Sequence, residues 1–343
     1  MGQGRELRVG SPRWVEADGR GAIRLLGECV DDQRVETAFA PPLLVPLERL
    51  AAFEDRTALR DPKARTQKPS LVLGEGQTLE VRGPFQVRRT VQPTKARGTT
   101  FVHATGDPNP IHTEGFVVPG AWTASQMVAP LEVLFPRLQV TALRVSFTGV
   151  AWYDRPVRIT LRVTPGTETM AVEAQAYQGD REIARGEIEG KVLAKEARVE
   201  VAERKVDTVW LGRVEAFFRS LGIAPASYIE KVEGKDHSYP YAFLASLPSG
   251  EMVERLSGQG GILNRLTLEF DAEKLPVAGP PEVSLELPER LRKSFNKIVT
   301  KIKEGVLTAV RGSALILPRS EAPAGLLQSM NDSLTSMENP GPR

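Results

Sequence analysis

Gly120 opens a run, Ala121-Trp122-Thr123-Ala124-Ser125-Gln126-Met127-Val128-Ala129, that has helical spacing, small residues on most of its surface and no acidic side chain before Glu132. A helix that is apolar all round has no face to give to water, so the rest of its domain must wrap it. The segments that follow can do so. Strands are expected near 141–150, 156–165 and 170–177, with a last one at 182–193. Arg158-Ile159-Thr160-Leu161-Arg162-Val163 alternates with the period of two that buries one face of a sheet. The expected core is a long helix, 120–135, laid across an antiparallel sheet.

Just ahead of that helix, Thr105-Gly106-Asp107-Pro108-Asn109-Pro110-Ile111-His112 puts a carboxylate and an imidazole five positions apart in a segment that cannot be a regular helix. Two prolines fix φ and remove backbone donors, Gly106 permits a tight bend, and Asn109 can bond back to the backbone. A rigid loop with its polar side chains aimed in one direction follows. Asp107 and His112 are then candidates for acid/base work on a shared water. The same residue types also make an ordinary Asx-capped surface turn. Gly120 adds a further element, because the first turn of a helix has N–H groups without an internal partner and glycine lets a ligand approach them. Taken alone, Gly120 is equally a flexible entry to a core helix.

Residues 101–112 resemble the signature of the MaoC-like, or R-specific enoyl-thioester hydratase, branch of the hot-dog fold. That signature is an aromatic, a small residue, Gly-Asp-Xaa-Asn-Pro, an aliphatic and His, matched by Phe101, Ala104, Thr105, Gly106, Asp107, Asn109, Pro110, Ile111 and His112. Asn-Pro-Ile-His-Thr, Gly120-Ala121-Trp122 and Phe147-Thr148-Gly149 are also similar to the dehydratase region of type I fatty acid synthases. The specific likeness covers roughly residues 70–190. It implies that Asp107 and His112 share and polarise the water added to, or lost from, C3 of an acyl thioester while a proton moves at C2. It implies that the Gly120 amide binds the thioester oxygen, that Asn109 and Pro110 shape the loop, and that Ala121 and Trp122 border the substrate. No metal or other cofactor is implied, since the substrate carries its own pantetheine as coenzyme A or acyl carrier protein. The chain departs from the pattern between His112 and Gly120, where only residues 113–119 intervene and the pocket lid is shortened. Val118 stands where a small residue is usual, and Pro119 where relatives commonly carry His.

Composition suits a soluble enzyme of two domains: 343 residues, 41% hydrophobic and 26% charged. Forty-five basic against 43 acidic residues, with no long basic run, carry no nucleic-acid signature. Cys29 is the single cysteine, which excludes an intramolecular disulfide, and with only His103, His112 and His237 as imidazoles no metal site is expected. Apolar runs fall short of the roughly eighteen residues a membrane span needs, and the N-terminus lacks an apolar signal region, so the cytoplasm is the expected location.

Spacing reveals a weaker second copy. Gly179 to Gly186 and Gly305 to Gly312 are each seven positions, and Phe147 to Gly186 spans 39 where Phe270 to Gly312 spans 42. The second copy has its own apolar helix, 239–256, and a strand, 261–270, but no Gly-Asp-Xaa-Asn-Pro-Xaa-His. The expected fold is therefore α+β, a double hot dog in which two antiparallel sheets each wrap a long central helix, with an N-terminal extension. Its divisions are an extension and linker at 1–69, a catalytic hot dog at 70–195, a second, non-catalytic hot dog at 205–319 and a disordered tail at 320–343. Within the extension a hairpin (22–29 and 34–39), a short helix near 47–53 and a charged linker at 54–69 are expected. A homodimer of two double hot dogs is a further expectation.

Other features get plainer readings. Arg290, Arg292, Lys293, Lys297, Lys301 and Lys303, interrupted by Glu289 and Glu304, read as a solvated face; His237 as a cap or surface residue; His103 as packed or exposed; and Trp122 and Met127 as core. Gly258-Gln259-Gly260-Gly261 precedes its strand, the wrong order for a dinucleotide loop. The leading expectation is a (3R)-hydroxyacyl-thioester dehydratase or enoyl-thioester hydratase. The alternatives are a non-catalytic acyl-binding or scaffolding hot dog of a fatty acid or polyketide synthase system and a hot-dog thioesterase that uses a helix carboxylate.

Overall fold

The computed structural model describes residues 14–17, 23–25, 43–60, 71–72, 78–81, 84–135, 138–166, 169–192, 208–225, 239–256, 261–271, 280–286, 289–290, 295–304 and 307–318. Segment 34–39, the tail 320–343, Cys29, His237, Arg292, Lys293, Gly305 and the glycine run 258–260 lie outside them. The chain begins with β1 (Trp14–Ala17), β2 (Ile23–Leu25), β3 (Leu43–Pro46), a 3-10 turn at Leu47–Ala52, β4 (Thr57–Arg60), β5 (Leu71–Val72) and β6 (Thr78–Val81). The first half proper runs β7 (Phe85–Val91), α1 (Lys95–Thr105), α2 (Pro110–Thr113), α3 (Gly120–Leu134), β8 (Leu138–Phe147), β9 (Val157–Pro165), β10 (Met170–Gln178) and β11 (Arg181–Val192). The second half runs α4 (Thr208–Ser220), α5 (Tyr241–Ser246), α6 (Pro248–Arg255), β12 (Gly261–Phe270), β13 (Glu282–Leu285), β14 (Glu289–Arg290), β15 (Asn296–Glu304) and β16 (Leu307–Pro318).

One continuous antiparallel sheet has the order β13-β15-β16-β12-β8-β11-β10-β9-β7-β4-β1-β2-β5. The two halves meet in its middle, where β8 pairs with β12. This is the double hot dog. The alternation read in the sequence holds: Val157, Ile159, Leu161 and Val163 are buried while Arg158 and Arg162 are exposed. The buried face carries α3, of which only Gly120 and Glu132 are partly exposed. Gly186 lets the helix come close, since a Cβ there would stand 3.4 Å from the Met127 sulfur and 2.9 Å from the Arg144 carbonyl oxygen.

The extension corrects one expectation. Residues 54–69 had the charge of a linker, but Thr57–Arg60 is a strand paired with Arg89–Gln86 of β7. The charges answer a buried partner. Arg89 is 1% exposed and reaches Asp55 at 3.4 Å, the Gln126 side-chain oxygen, and the carbonyls of Leu221 (2.5 Å) and Gly222 (2.9 Å). Burial lowers its pKa to about 10, against the pull of Asp55. Ile23–Leu25 forms the expected first strand of the hairpin, but pairs with β1 and β5. The expected single helix 239–256 is broken at Leu247, ahead of Pro248.

Candidate active site

The motif is held by local chemistry. α1 ends at Gly106, whose φ of 75° is the left-handed conformation that glycine adopts without strain. Residues 107–109 are irregular, and the Asn109 side chain then caps one further helical turn by accepting from the Ile111 amide at 3.3 Å, with Pro110 at the first position, where its missing N–H costs nothing. His112 thus sits in a short helix, where a loop was expected.

Asp107, Asn109 and His112 are brought together and are nearly fully buried, at 1%, 3% and 5% exposure. Asp107 Oδ1 accepts from the Asn109 backbone N–H at 3.0 Å, and Oδ2 from the Ser249 hydroxyl at 2.6 Å. His112 Nδ1 lies 2.9 Å from the Val117 carbonyl, and since a carbonyl only accepts, the proton sits on Nδ1 and leaves a lone pair on Nε2. Asn109 Nδ2 stands 3.4 Å from that Nε2 and donates to the Gly261 carbonyl at 3.3 Å. Burial, the largest cause, holds the imidazole below its ordinary pKa of 6.5 and the Lys95 charge adds to this, while Asp107 and the Val117 carbonyl oppose it. The ring is a neutral base at neutral pH.

A cavity of about 60 Å³ is lined by His112, Asn109, Gly120 and Ala121. Its apolar walls are Phe147, Val150, Ala151 and Ile183 from the first half and Met252, Val253, Leu256, Leu263 and Ile316 from the second. Among the described residues no charged side chain lines it. It lies where β8 and β12 part: they pair only over 142–146 and 265–269, and an irregularity between Leu263 and Arg265 turns the start of β12 aside. Asp107 is not part of the lining and lies behind it. Pro110 is also outside it, and Trp122 is in the core, its indole N–H on the Ser220 carbonyl at 3.1 Å.

Three residues that the sequence reading passed over hold the site. Lys95 donates to the carbonyls of His112 (3.0 Å) and Gly115, and the Tyr153 hydroxyl donates to the same His112 carbonyl at 3.3 Å. The shortened stretch 113–119 is zipped to 151–153 by Val118 N to Ala151 O at 2.9 Å and Tyr153 N to Phe116 O at 2.9 Å. Ser249, from the other half, is the third. Only the one-turn spacing of Lys95 and Gly98 hinted at this clamp: Gly98 has no Cβ because the Tyr153 ring occupies that space. Glu132, the acid of α3, accepts from the amides of Tyr241 and Ala242 at 2.7 and 3.0 Å, so it faces away from the motif and is already engaged.

Among the described residues no three His, Cys, Asp or Glu side chains cluster to hold a metal, and no helix is long and apolar enough to cross a membrane. No family model and no curated protein matches the sequence. Solved structures do match. A MaoC-like dehydratase superposes with a TM-score of 0.52 at 10% identity, over 69% of this chain and 97% of its own. Rv0216 of Mycobacterium tuberculosis, a conserved hypothetical protein with a double hot-dog fold, matches with a TM-score of 0.48 at 9% identity, over 66% of this chain and 93% of its own. A protein provisionally assigned as a thioesterase II from Thermobifida fusca matches with a TM-score of 0.42 at 14% identity, over 67% and 93%. At such identities the first of these speaks for the fold, and the fold of this chain is that of the MaoC-like hot-dog proteins.

Proposed function

We propose that the chain is a hydro-lyase that adds water to, or removes it from, an enoyl or (3R)-hydroxyacyl thioester of coenzyme A or acyl carrier protein, using one site per chain and no cofactor. One observation carries this reading: a neutral imidazole, fixed through Nδ1 and with the Asn109 amide near its unprotonated Nε2, lines an apolar cavity beside a buried carboxylate and a helix start without a side-chain cap. In hydration, His112, with the Asp107 carboxylate behind it to balance the imidazolium charge, takes a proton from a water as its oxygen bonds to C3 and returns a proton to C2, so the residues end unchanged. The Gly120 amide is suited to the thioester oxygen as enolate character develops there. The uncharged walls favour an apolar acyl group, because a buried charge without a partner is costly. The thioesterase alternative loses its base, since the Glu132 carboxylate is occupied at Tyr241 and Ala242.

The test follows the loss of the conjugated enoyl thioester when crotonyl-CoA, or its carrier-protein counterpart, meets the protein. Hydration by the parent and its loss in His112→Ala support the reading. A parent inert toward both thioesters, or one that releases free thiol, ends it.

A further inference from the structure

The two halves repeat one stretch closely enough for comparison residue by residue. Pro119-Gly120-Ala121-Trp122-Thr123-Ala124-Ser125 and Pro240-Tyr241-Ala242-Phe243-Leu244-Ala245-Ser246 share Pro, Ala, an aromatic, Ala and Ser at the same steps. Both prolines cap with the same backbone, φ −55°, ψ 134° and φ −58°, ψ 139°. The strands that follow, β8 and β12, pair so that Arg144 faces Thr267, with Ala142 on Glu269 and Ser146 on Arg265 to either side. That is the pattern of a local two-fold, in which a contact from i to j is matched by one from j to i. Gly120 then corresponds to Tyr241 and Phe147 to Phe270. The thirteenth residue after each proline is Glu132 in one half and Val253 in the other.

At the second-half helix start a ring and a carboxylate are in place. The Tyr241 ring packs edge-on against Phe270, 5.3 Å between centroids, and the Glu132 carboxylate accepts from the Tyr241 and Ala242 amides. At the first-half start, Leu263 and the Phe147 ring stand 3.2 and 3.5 Å from where a Gly120 Cβ would be, and Val253 lines the cavity together with Gly120 and Ala121. One start is filled by a ring and an anion. Its twin has a hydrogen in place of the ring and an isopropyl group in place of the anion. A carboxylate on helix amides is a charge-assisted contact that a neutral thioester oxygen could not readily displace.

We infer that Val253 is a specificity-determining residue of this site: its apolar side chain leaves the Gly120 and Ala121 amides to the substrate oxygen, where an acid would occupy them as Glu132 occupies their counterparts. The inference rests on the thioester reading above. Its test is Val253→Glu, with Val253→Gln beside it, assayed on crotonyl-CoA and by thermal melting. Expected for Val253→Glu is a fall in kcat of at least ~10²-fold, the loss typical of an oxyanion donor, with the melting temperature unchanged or raised. Val253→Gln, equal in length but neutral, should lose less. A folded Val253→Glu within about three-fold of the parent overturns the inference, as does an equal loss in both variants, which would assign the effect to bulk. If Val253→Glu does not fold, Val253→Gln decides, and full activity there overturns the inference. A crystal structure of Val253→Glu separates the two ideas. With an inactive parent the functional reading falls, while a carboxylate seated on the Gly120 amide still upholds the inferred geometry and one turned away from it sinks it.

Discussion

α3 runs unbroken from Gly120 to Leu134, whereas its counterpart in the second half stops at Ser246 and restarts at Pro248, a residue with no N–H to give the preceding turn. The restarted helix and the residue after it turn Ser249, Met252, Val253 and Leu256 to the cavity of the other half. Its Gly250 lies so close to Gly106 that a Cβ would collide with the Gly106 carbonyl. A half without the Gly-Asp-Xaa-Asn-Pro motif therefore still donates a hydroxyl to Asp107 and builds much of the apolar wall. The difference teaches that chemistry and containment have been divided between two copies of one fold.

That division can be broken from either side. The largest effects belong to the first half: Asp107→Asn and His112→Ala should each lower kcat for crotonyl-CoA hydration by about 10²–10⁴-fold, the contribution of a placed acid/base group. Gly250→Ala comes next, because the collision is with backbone and no side chain can yield. It should destabilise the protein by about 1–3 kcal/mol in urea unfolding and reduce activity with it. Unchanged stability would mean that α6 is free to retreat from the motif.

Ser249→Ala removes a hydroxyl bonded to a carboxylate, worth about 1.5–3 kcal/mol, so kcat should fall roughly ten-fold with little change in KM. Full activity would reduce the second half to a wall. Lys95→Met should cost less in rate, about three- to ten-fold, but carries a pH signature. Loss of that charge, which lowers the His112 pKa, should move the acid limb of kcat/KM upward, while Lys95→Arg should leave it in place.

Smallest is a linkage effect. Below pH 6.5 the unfolded chain protonates an imidazole that the folded chain keeps neutral, so His112 contributes a loss of stability as pH falls and none above. His112→Gln should therefore unfold with a weaker acid dependence than the parent below that pH. The same dependence in both would place the destabilising protons elsewhere.

Much of the fold was legible because the signals are local. The 120–135 helix and the strands after it were read within a few residues, since apolar periodicity records which face each element buries. The bend of the motif was also legible, as Gly106, Asn109 and Pro110 act on their own backbone, but the helical turn that Asn109 and Pro110 open was not. Charge misled at 54–60, where acidic residues that looked like linker composition answer the buried Arg89. The break at Pro248 was missed because the apolar pattern continues across it. Ser249 and Tyr153 gave no signal, being ordinary residues 142 and 41 positions from the groups they hold, and Lys95 gave only its one-turn spacing from Gly98.

By itself, the order of side chains determined which segments must be buried, where the chain turns, and that a carboxyl group and an imidazole lie on one short rigid stretch, because propensity and hydrophobic period act over a few neighbours. Tertiary structure alone decided which nitrogen of His112 carries the proton, which half covers the cavity, and which of two like helix starts is stopped by Glu132 and which is left open beside Val253. The last two outcomes depend on groups more than a hundred residues apart coming together, as Glu132 meets Tyr241. Even the His112 proton, set by the Val117 carbonyl five residues on, needs the chain at 113–119 folded back against 151–153.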